Sequence, residues 1–396
     1  PRLVEQGYKG KVYCTPGTFD LARILLLDSA HIHESDAKYH NKKRAKRGEE
    51  PIEPLYTIKD AEDSFAHFEL VPYHEVKELA EGVRFHFTEV GHIMGSAAVH
   101  LTITEKGKER RITFSGDVGR YNDELLRSPE VFPQTDFLIL ESTYGDSLHE
   151  DVHLTENKLL EAIVQTCLKK RGKLIIPSFS VGRTQEIVYA LNRLEIDKNL
   201  PDIDFFVDSP LSVEATEVMK DHMKELNQKF QKFLDKDPAP FDFKRLHYIT
   251  NVEESKDLNT REEPCVIISA SGMADAGRVK HHIKNNISDR RNTILLVGYC
   301  EPNSLGGKLM RGNKEVTIFG EPFFVEAEVR TMKSMSAHGD YEDLCQFIAC
   351  QDASAVKTLF LVHGEPDVQQ TFKSKLLRKQ FADVQIPHLH QTFDLR

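Results

Sequence analysis

Five short segments of the chain each set a lone His, Asp or Glu at or just beyond a run of apolar residues. They are Gly91-His92-Ile93-Met94-Gly95-Ser96, Phe114-Ser115-Gly116-Asp117, Leu140-Glu141-Ser142-Thr143-Tyr144-Gly145, Ser336-Ala337-His338-Gly339-Asp340 and Leu361-Val362-His363-Gly364-Glu365. Each reads as the end of a β-strand with a small residue close by. Metal ligands and acid–base groups sit in this way at the rim of a sheet. The set runs from position 92 to position 363, so only a fold that gathers distant strand ends can use it.

Taken singly, His92 and His363 read as structural histidines, and Asp117 and Glu141 as caps of turns or helices. Their recurrence at strand ends argues for a shared site. Imidazole and carboxylate both suit zinc, and a further His beside a carboxylate suits proton transfer near neutral pH.

At 396 residues the chain has room for two domains. No apolar run approaches the roughly 18 residues that would span a bilayer, so no membrane partner is expected. The six cysteines, Cys14, Cys167, Cys265, Cys300, Cys345 and Cys350, include no C-x-x-C pair. They read as reduced thiols of a cytoplasmic protein and argue against a cysteine zinc finger. A net charge of −10 excludes coating nucleic acid through bulk positive charge. It leaves room for a nucleic-acid enzyme whose bound cations supply local positive potential. The chain opens at Pro1-Arg2-Leu3 without an initiator Met, and the expectation is that residues are missing upstream.

The pattern predicts a strand over 12–14 and a helix from about Thr18 into the thirties. The stretch 41–51, with Lys42, Lys43, Arg44, Lys46 and Arg47, reads as a solvated basic loop, with a nuclear-import signal or an RNA contact as alternatives. Strands follow at 83–89, 98–104, 111–115 and 137–141. Strand and helix then alternate: helix 155–170, strand 173–176, a helix from Arg183, strand 204–207, helix 212–234, strand 265–268, helix 275–287 and strand 293–297. That alternation indicates a mostly parallel sheet covered on both faces. The chain closes with helix 340–350 and strand 358–362.

In this order the segments resemble those of the metallo-β-lactamase superfamily, specifically its β-CASP branch of RNA-processing nucleases. Gly91 to Ser96 resembles the motif of the third ligand histidine, and Phe114 to Asp117 the motif of a bridging aspartate. Glu141 resembles the acidic motif A, His338 the motif B histidine and His363 the motif C histidine. Pro177 to Glu186, Asp208 to Leu211, Ser269 to Met273 and Gly298 to Glu301 resemble segments of the β-CASP insert.

The resemblance implies an α/β fold: an αββα metallo-β-lactamase sandwich interrupted by a β-CASP α/β domain with a mostly parallel sheet. The boundaries expected are 1–145 and 337–396 for the two parts of the sandwich and 146–336 for the insert. It implies a zinc-dependent ribonuclease that hydrolyses single-stranded RNA with two zinc ions. His92, Asp117 and His363 would bind metal, with Asp117 bridging. His338, kept basic by Glu141, would protonate the leaving 3′ oxygen. Arg183, Ser269, Ser271 and Gly272 would contact phosphate, Lys308 and Arg311 being weaker candidates; a structural ion pair is the alternative for Arg183. A homodimer is left open.

One departure stands out. The superfamily signature H-x-H-x-D-H is absent. The nearest string, His31-Ile32-His33-Glu34-Ser35-Asp36, lacks Asp at position 35 and His at 36 and continues a helical pattern, where residues i and i+2 do not share a face. It reads as surface helix, and the true signature is expected upstream of Pro1. Two other functions come from different classes: a non-catalytic β-CASP scaffold subunit, and a small-molecule hydrolase such as a thioesterase. Retention of both acid and ligand groups argues against the first, and the long insert between Glu141 and His338 against the second. DNA as substrate stays open.

Overall fold

A computed structural model describes residues 1–150 and 155–395; residues 151–154, within the expected insert, and Arg396 lie outside the described residues. Two sheets dominate it. The seven-stranded sheet runs in space from Val384–Gln385 through Thr358–Val362, Phe137–Glu141, Lys108–Phe114, Ala97–Glu105 and Val83–Glu89 to Lys77–Ala80. Its first four strands are parallel neighbours and the remainder are antiparallel.

This mixture explains two kinds of pattern. In Val83–Glu89, Phe85 and Phe87 are buried while Arg84 is exposed, the alternation of a strand with unlike faces. Phe137–Glu141 is buried along nearly its whole length. Its Leu138 and Leu140 pack with Leu344 and Phe347 from helix Tyr341–Ile348 and with Phe372 and Leu376 from helix Pro366–Arg378. On the opposite face, Phe85 and Phe87 meet Val71 and Tyr13. Tyr13 belongs to Val12–Cys14, which pairs in parallel with Phe68–Leu70. Helix Pro16–Ala45 lies beyond that small sheet, with the Phe19 and Phe68 rings 5.4 Å apart. The layers are helix, sheet, sheet, helix, the αββα order.

The second sheet has six strands in the order Leu246–Ile249, Asp204–Asp208, Cys265–Ser269, Leu174–Pro177, Thr293–Val297 and Glu328–Met332, every pairing parallel. Its central strands are wholly buried because helices cover both faces. Leu174 and Ile176 face Leu159, Ile187 and Leu191, whereas Ile175 between them faces Val279, Ile283 and Leu305. No helix among the described residues is long and apolar enough to cross a membrane.

Four local expectations need correction. The basic stretch is helical through Ala45, so Lys42, Lys43 and Arg44 occupy the last turn of helix Pro16–Ala45, where positive charge complements the terminal carbonyls. The helix expected over 212–234 is broken into Pro210–Asp221, a 3-10 turn at Met223–Glu225 and Gln228–Leu234, the last capped by Asn227 accepting from the Phe230 N–H at 2.8 Å. Helix Pro366–Arg378 was not anticipated, although proline in the first turn is its start signal. His338 ends no strand directly: a short turn, Lys333–Met335, separates it from Glu328–Met332 of the six-stranded sheet.

The carboxyl edge of that sheet is fixed by a buried charge cluster. Asp208, fully buried, accepts from Arg278 Nη1 at 2.6 Å and from the Ser255 hydroxyl, and lies 2.6 Å from His282 Nε2. Burial acts to raise its carboxyl, but the hydrogen bonds from His282, Ser255 and Arg278 outweigh it and hold the group below the usual carboxylate range. A depressed folded-state value means the stabilisation is complete above the unfolded value of about 3.9 and is lost as pH falls through the folded value. Asp208→Asn should therefore cost about 3–5 kcal/mol at pH 7, by leaving the Arg278 guanidinium unpaired, and about 1 kcal/mol less at pH 3. Urea unfolding at the two pH values checks this; an equal loss at both would contradict it.

Candidate active site

The five chemistry-bearing residues converge from two directions. Glu141 is the last residue of Phe137–Glu141, and His363 follows its parallel neighbour Thr358–Val362. The two strand ends are tied together: Ser142 Oγ donates to the Val362 carbonyl at 2.6 Å and Ser142 N to the His363 carbonyl at 3.2 Å. His92 and Asp117 lie on loops after Val83–Glu89 and Lys108–Phe114. These loops touch backbone to backbone, Gly119 N donating to the Val90 carbonyl at 2.7 Å. A Cβ at Gly119 would lie 1.9 Å from the Gly91 carbonyl oxygen, so only glycine permits the approach. His338 arrives from the other side, off the carboxyl edge of the six-stranded sheet.

Glu141 is the hub. Only 1% exposed, it accepts from Val118 N at 2.8 Å and Thr143 N at 3.0 Å, and its Oε1 lies 3.0 Å from His338 Nδ1. Burial opposes its ionisation, but the His338 contact and the Thr143 hydrogen bonds outweigh burial and lower its carboxyl. Burial likewise disfavours the His338 imidazolium, and the hydrogen bond and charge of Glu141 reverse this, raising its affinity for a proton. With Nδ1 engaged by Glu141, Nε2 is the nitrogen left to exchange a proton with a substrate.

Asp117 stands between two histidines. Its Oδ2 is 3.7 Å from His92 Nε2 and its Oδ1 is 3.4 Å from His363 Nδ1. The His92 and His338 rings are 4.5 Å apart, and those of His338 and His363 are 5.4 Å apart. Burial first, then the adjacent His338, pushes His92 down to about 4. It is therefore neutral at pH 7, the state in which imidazole offers a lone pair to a metal. His92 Nδ1 is also buried without a well-formed hydrogen bond. Nitrogen and carboxylate oxygen atoms of His92, Asp117 and His338, and separately of Glu141, His338 and His363, lie within 4.8 Å of one another. Imidazole and carboxylate donors fit zinc; both groups include His338, and the expected ligands His92, Asp117 and His363 do not form one such group among the described residues.

The residues expected to bind substrate are placed less openly. Arg183 is buried and paired with Glu186, the structural alternative weighed for it. Ser269 is buried too, its hydroxyl donating to the Asp208 carbonyl at 2.7 Å. Ser271, half-buried, turns its hydroxyl toward the Ala276 carbonyl at 3.4 Å, and Gly272 is buried beneath Phe179. Arg311 donates to the Pro302 carbonyl. His31 and His33 lie on helix Pro16–Ala45, His33 against Ser29 and Tyr56, and join no ligand group among the described residues. Sequence reasoning missed Thr143, whose hydroxyl lies 3.4 Å from His338 Nδ1 and 3.1 Å from His363 Nδ1. Its place two residues after Glu141 was the available signal. It also missed His149, whose Nε2 is 3.0 Å from the His338 carbonyl; nothing local in the sequence marks that contact.

Residues 184–309 match the family model described as the Beta-Casp domain, and 324–387 match the Zn-dependent metallo-hydrolase RNA specificity domain. The chain is 30% identical to Ribonuclease TTHA0252 of Thermus thermophilus over 367 residues, covering 93% of this chain and 78% of that protein. It is 30% identical to the RNase J-like protein of Methanocaldococcus jannaschii over 358 residues, 90% and 76% of the two chains. With Transcription termination factor FttA of Pyrococcus abyssi it shares 29% identity over 400 residues, 98% of this chain and 58% of that protein. Together with the αββα layers, the parallel-sheet insert and the convergent His–Asp–Glu cluster, these likenesses make the chain a member of the β-CASP family of RNA-processing nucleases, metal-dependent hydrolases of the metallo-β-lactamase superfamily.

Proposed function

We propose that this chain hydrolyses phosphodiester bonds of single-stranded RNA with zinc held by His92, Asp117 and His363. The observation that carries the reading is His338 braced on buried Glu141, 3.0 Å away, directly beside the ligand cluster. The two oxygens of Asp117 face different histidines, an arrangement suited to sharing one carboxylate between two metal positions. The family description "Zn-dependent" and the word ribonuclease in relatives' names support zinc and RNA. In this reading the boundaries are 1–145, 146–336 and 337–396, the protein works in the cytoplasm, and a homodimer is compatible with it.

Bound zinc would polarise the phosphoryl group and acidify the attacking water. The chain's own part is proton transfer and positioning. With its proton affinity raised by Glu141, His338 serves as the proton donor. It gives that proton to the departing 3′ oxygen, which would otherwise leave as an unstable alkoxide. Thr143 and Glu141 hold the imidazole in place throughout.

In the natural full-length polypeptide, His338→Ala should lower kcat on 5′-end-labelled single-stranded RNA by about 100- to 10,000-fold while zinc content stays at the wild-type level. Chelator should abolish cleavage in the wild type. Cleavage insensitive to both treatments would sink the proposal. Single-stranded DNA run alongside tests the substrate; if it is cut and RNA is not, the enzyme acts on DNA. Absence of both cleavages would favour the scaffold reading.

Metal retention gives a separate check. Asp117→Asn and His92→Ala should each lower zinc bound per chain, measured by elemental analysis after dialysis, whereas Arg311→Ala should not. Unchanged zinc in both ligand variants would remove these residues from the metal site.

A further inference from the structure

The six-stranded sheet reverses its direction of winding between Leu174–Pro177 and Thr293–Val297. From the first strand the chain crosses to Asp204–Asp208 on one side; from the second it next enters the sheet at Glu328–Met332 on the other. In an open parallel sheet, the crevice beyond the carboxyl ends at such a reversal is where ligands bind. Each of the two loops leaving those ends presents one aromatic ring to the outside. Phe179 lies two residues past Pro177 and Tyr299 two past Val297; they are 44% and 43% exposed. Rings of this size are ordinarily much more covered in a folded protein.

The loops that carry both rings lead to the active site. The Phe179 loop leads to Gly182, where an added Cβ would lie 3.7 Å from Ile93, the neighbour of His92. The Tyr299 loop is tied to the strand that leads to His338, Gly298 N donating to the Met332 carbonyl at 3.3 Å. The two loops are also stitched to each other. The Phe179 ring lies over Gly272, where an added Cβ would come within 2.7 Å of it, and the Gly272 carbonyl accepts from Cys300 Sγ at 3.7 Å, next to Tyr299. The Phe179 backbone is held by Thr184, whose Oγ1 and N donate to its carbonyl at 2.8 and 3.2 Å.

We propose that Phe179 and Tyr299 form a base-stacking platform that grips single-stranded RNA beside the scissile phosphate. The proposal rests on the ribonuclease reading above. Each base has a π-face, so stacking on an aromatic side chain holds a strand without reading its sequence. Such a grip suits this crevice because two of the arginines beside it are already paired, Arg183 with Glu186 and Arg278 with Asp208. Placing flanking bases on a fixed shelf would set the register of the backbone against His338.

The test measures binding of the natural full-length protein to fluorescent oligouridylates about ten nucleotides long, with a single abasic position walked along the strand. Chelator is present so that nothing is cut. Wild-type protein should bind intact RNA roughly 5- to 100-fold more tightly than RNA abasic at the stacked position. Phe179→Leu and Tyr299→Leu keep apolar bulk but no ring. Each should bind intact RNA more weakly and lose the discrimination at its position, while binding abasic RNA as the wild type does. Phe179→Trp and Tyr299→Trp should restore discrimination, which a merely structural role would not produce. Leucine variants that still discriminate as the wild type does, or a wild type indifferent to every abasic position, overturn the platform. Cleavage of RNA by the metal-loaded wild type in that case leaves the ribonuclease reading standing; wild type that neither binds nor cleaves RNA overturns both.

Discussion

A single buried carboxylate organises this molecule's chemistry. Glu141 has almost no contact with water, and an ionised group in that position is costly unless its oxygens are occupied. They are: Val118 N–H, Thr143 N–H and the His338 imidazole converge on it. Each partner belongs to a different segment, so satisfying one charge fixes the loop after Asp117, the turn after the strand and the segment that descends from the other sheet. Removing Glu141 would release all three together. The same contacts raise the proton affinity of His338 and lower that of Glu141, so folding and acid–base function draw on one interaction.

Around that hub, the architecture is two sheets whose parallel strands end toward a common crevice. Thr358–Val362 and Phe137–Glu141 deliver His363 and Glu141 from one side. Glu328–Met332 delivers His338 from the other, while Leu174–Pro177, Cys265–Ser269 and Thr293–Val297 of the same sheet deliver the loops of Phe179, Gly272 and Tyr299. The division of labour is physical. The seven-stranded sheet brings small ligand-bearing turns close together, which requires backbone contacts that only glycine tolerates, as at Gly119. The six-stranded sheet contributes longer loops at a winding reversal, where a polymer can lie across the strand ends. The Asp208 cluster then pins the edge from which those loops spring, with Ser269 hydrogen-bonded to its carbonyl.

Strands with a definite period were legible in advance, because their burial is decided by which face meets the core. The run 137–141 and the strands at 173–176, 204–207, 265–268 and 293–297 fall where the pattern puts them, whereas strand Leu246–Ile249 and helix Val252–Thr260 lie where a loop is expected. Breaks within helices were harder to see. The segment 212–234 has continuous helical character, and its interruption comes from Asn227, which bonds to the Asp123 and Leu126 carbonyls from elsewhere in the chain as well as capping a new helix. Arg183 illustrates the same limit at the site. Its motif suggests a phosphate ligand, and only the packed position of Glu186 one turn on shows that its charge is already answered.

By itself, the sequence determined which groups could do chemistry: strand-end His92, Asp117, Glu141, His338 and His363, in an order that marks their family, and a sheet type that follows from apolar periodicity. Tertiary structure decided which nitrogen of His338 meets Glu141, that one carboxylate, Asp117, faces two histidines, that Thr143 joins them, and that Phe179 and Tyr299 are left uncovered at the crevice. Periodicity is a local property, written in neighbouring residues. Proton affinity, ligand convergence and exposure depend on atoms that meet across separations of up to about two hundred positions, as Glu141 and His338 do at |i−j| = 197, and they exist only once the two sheets have packed.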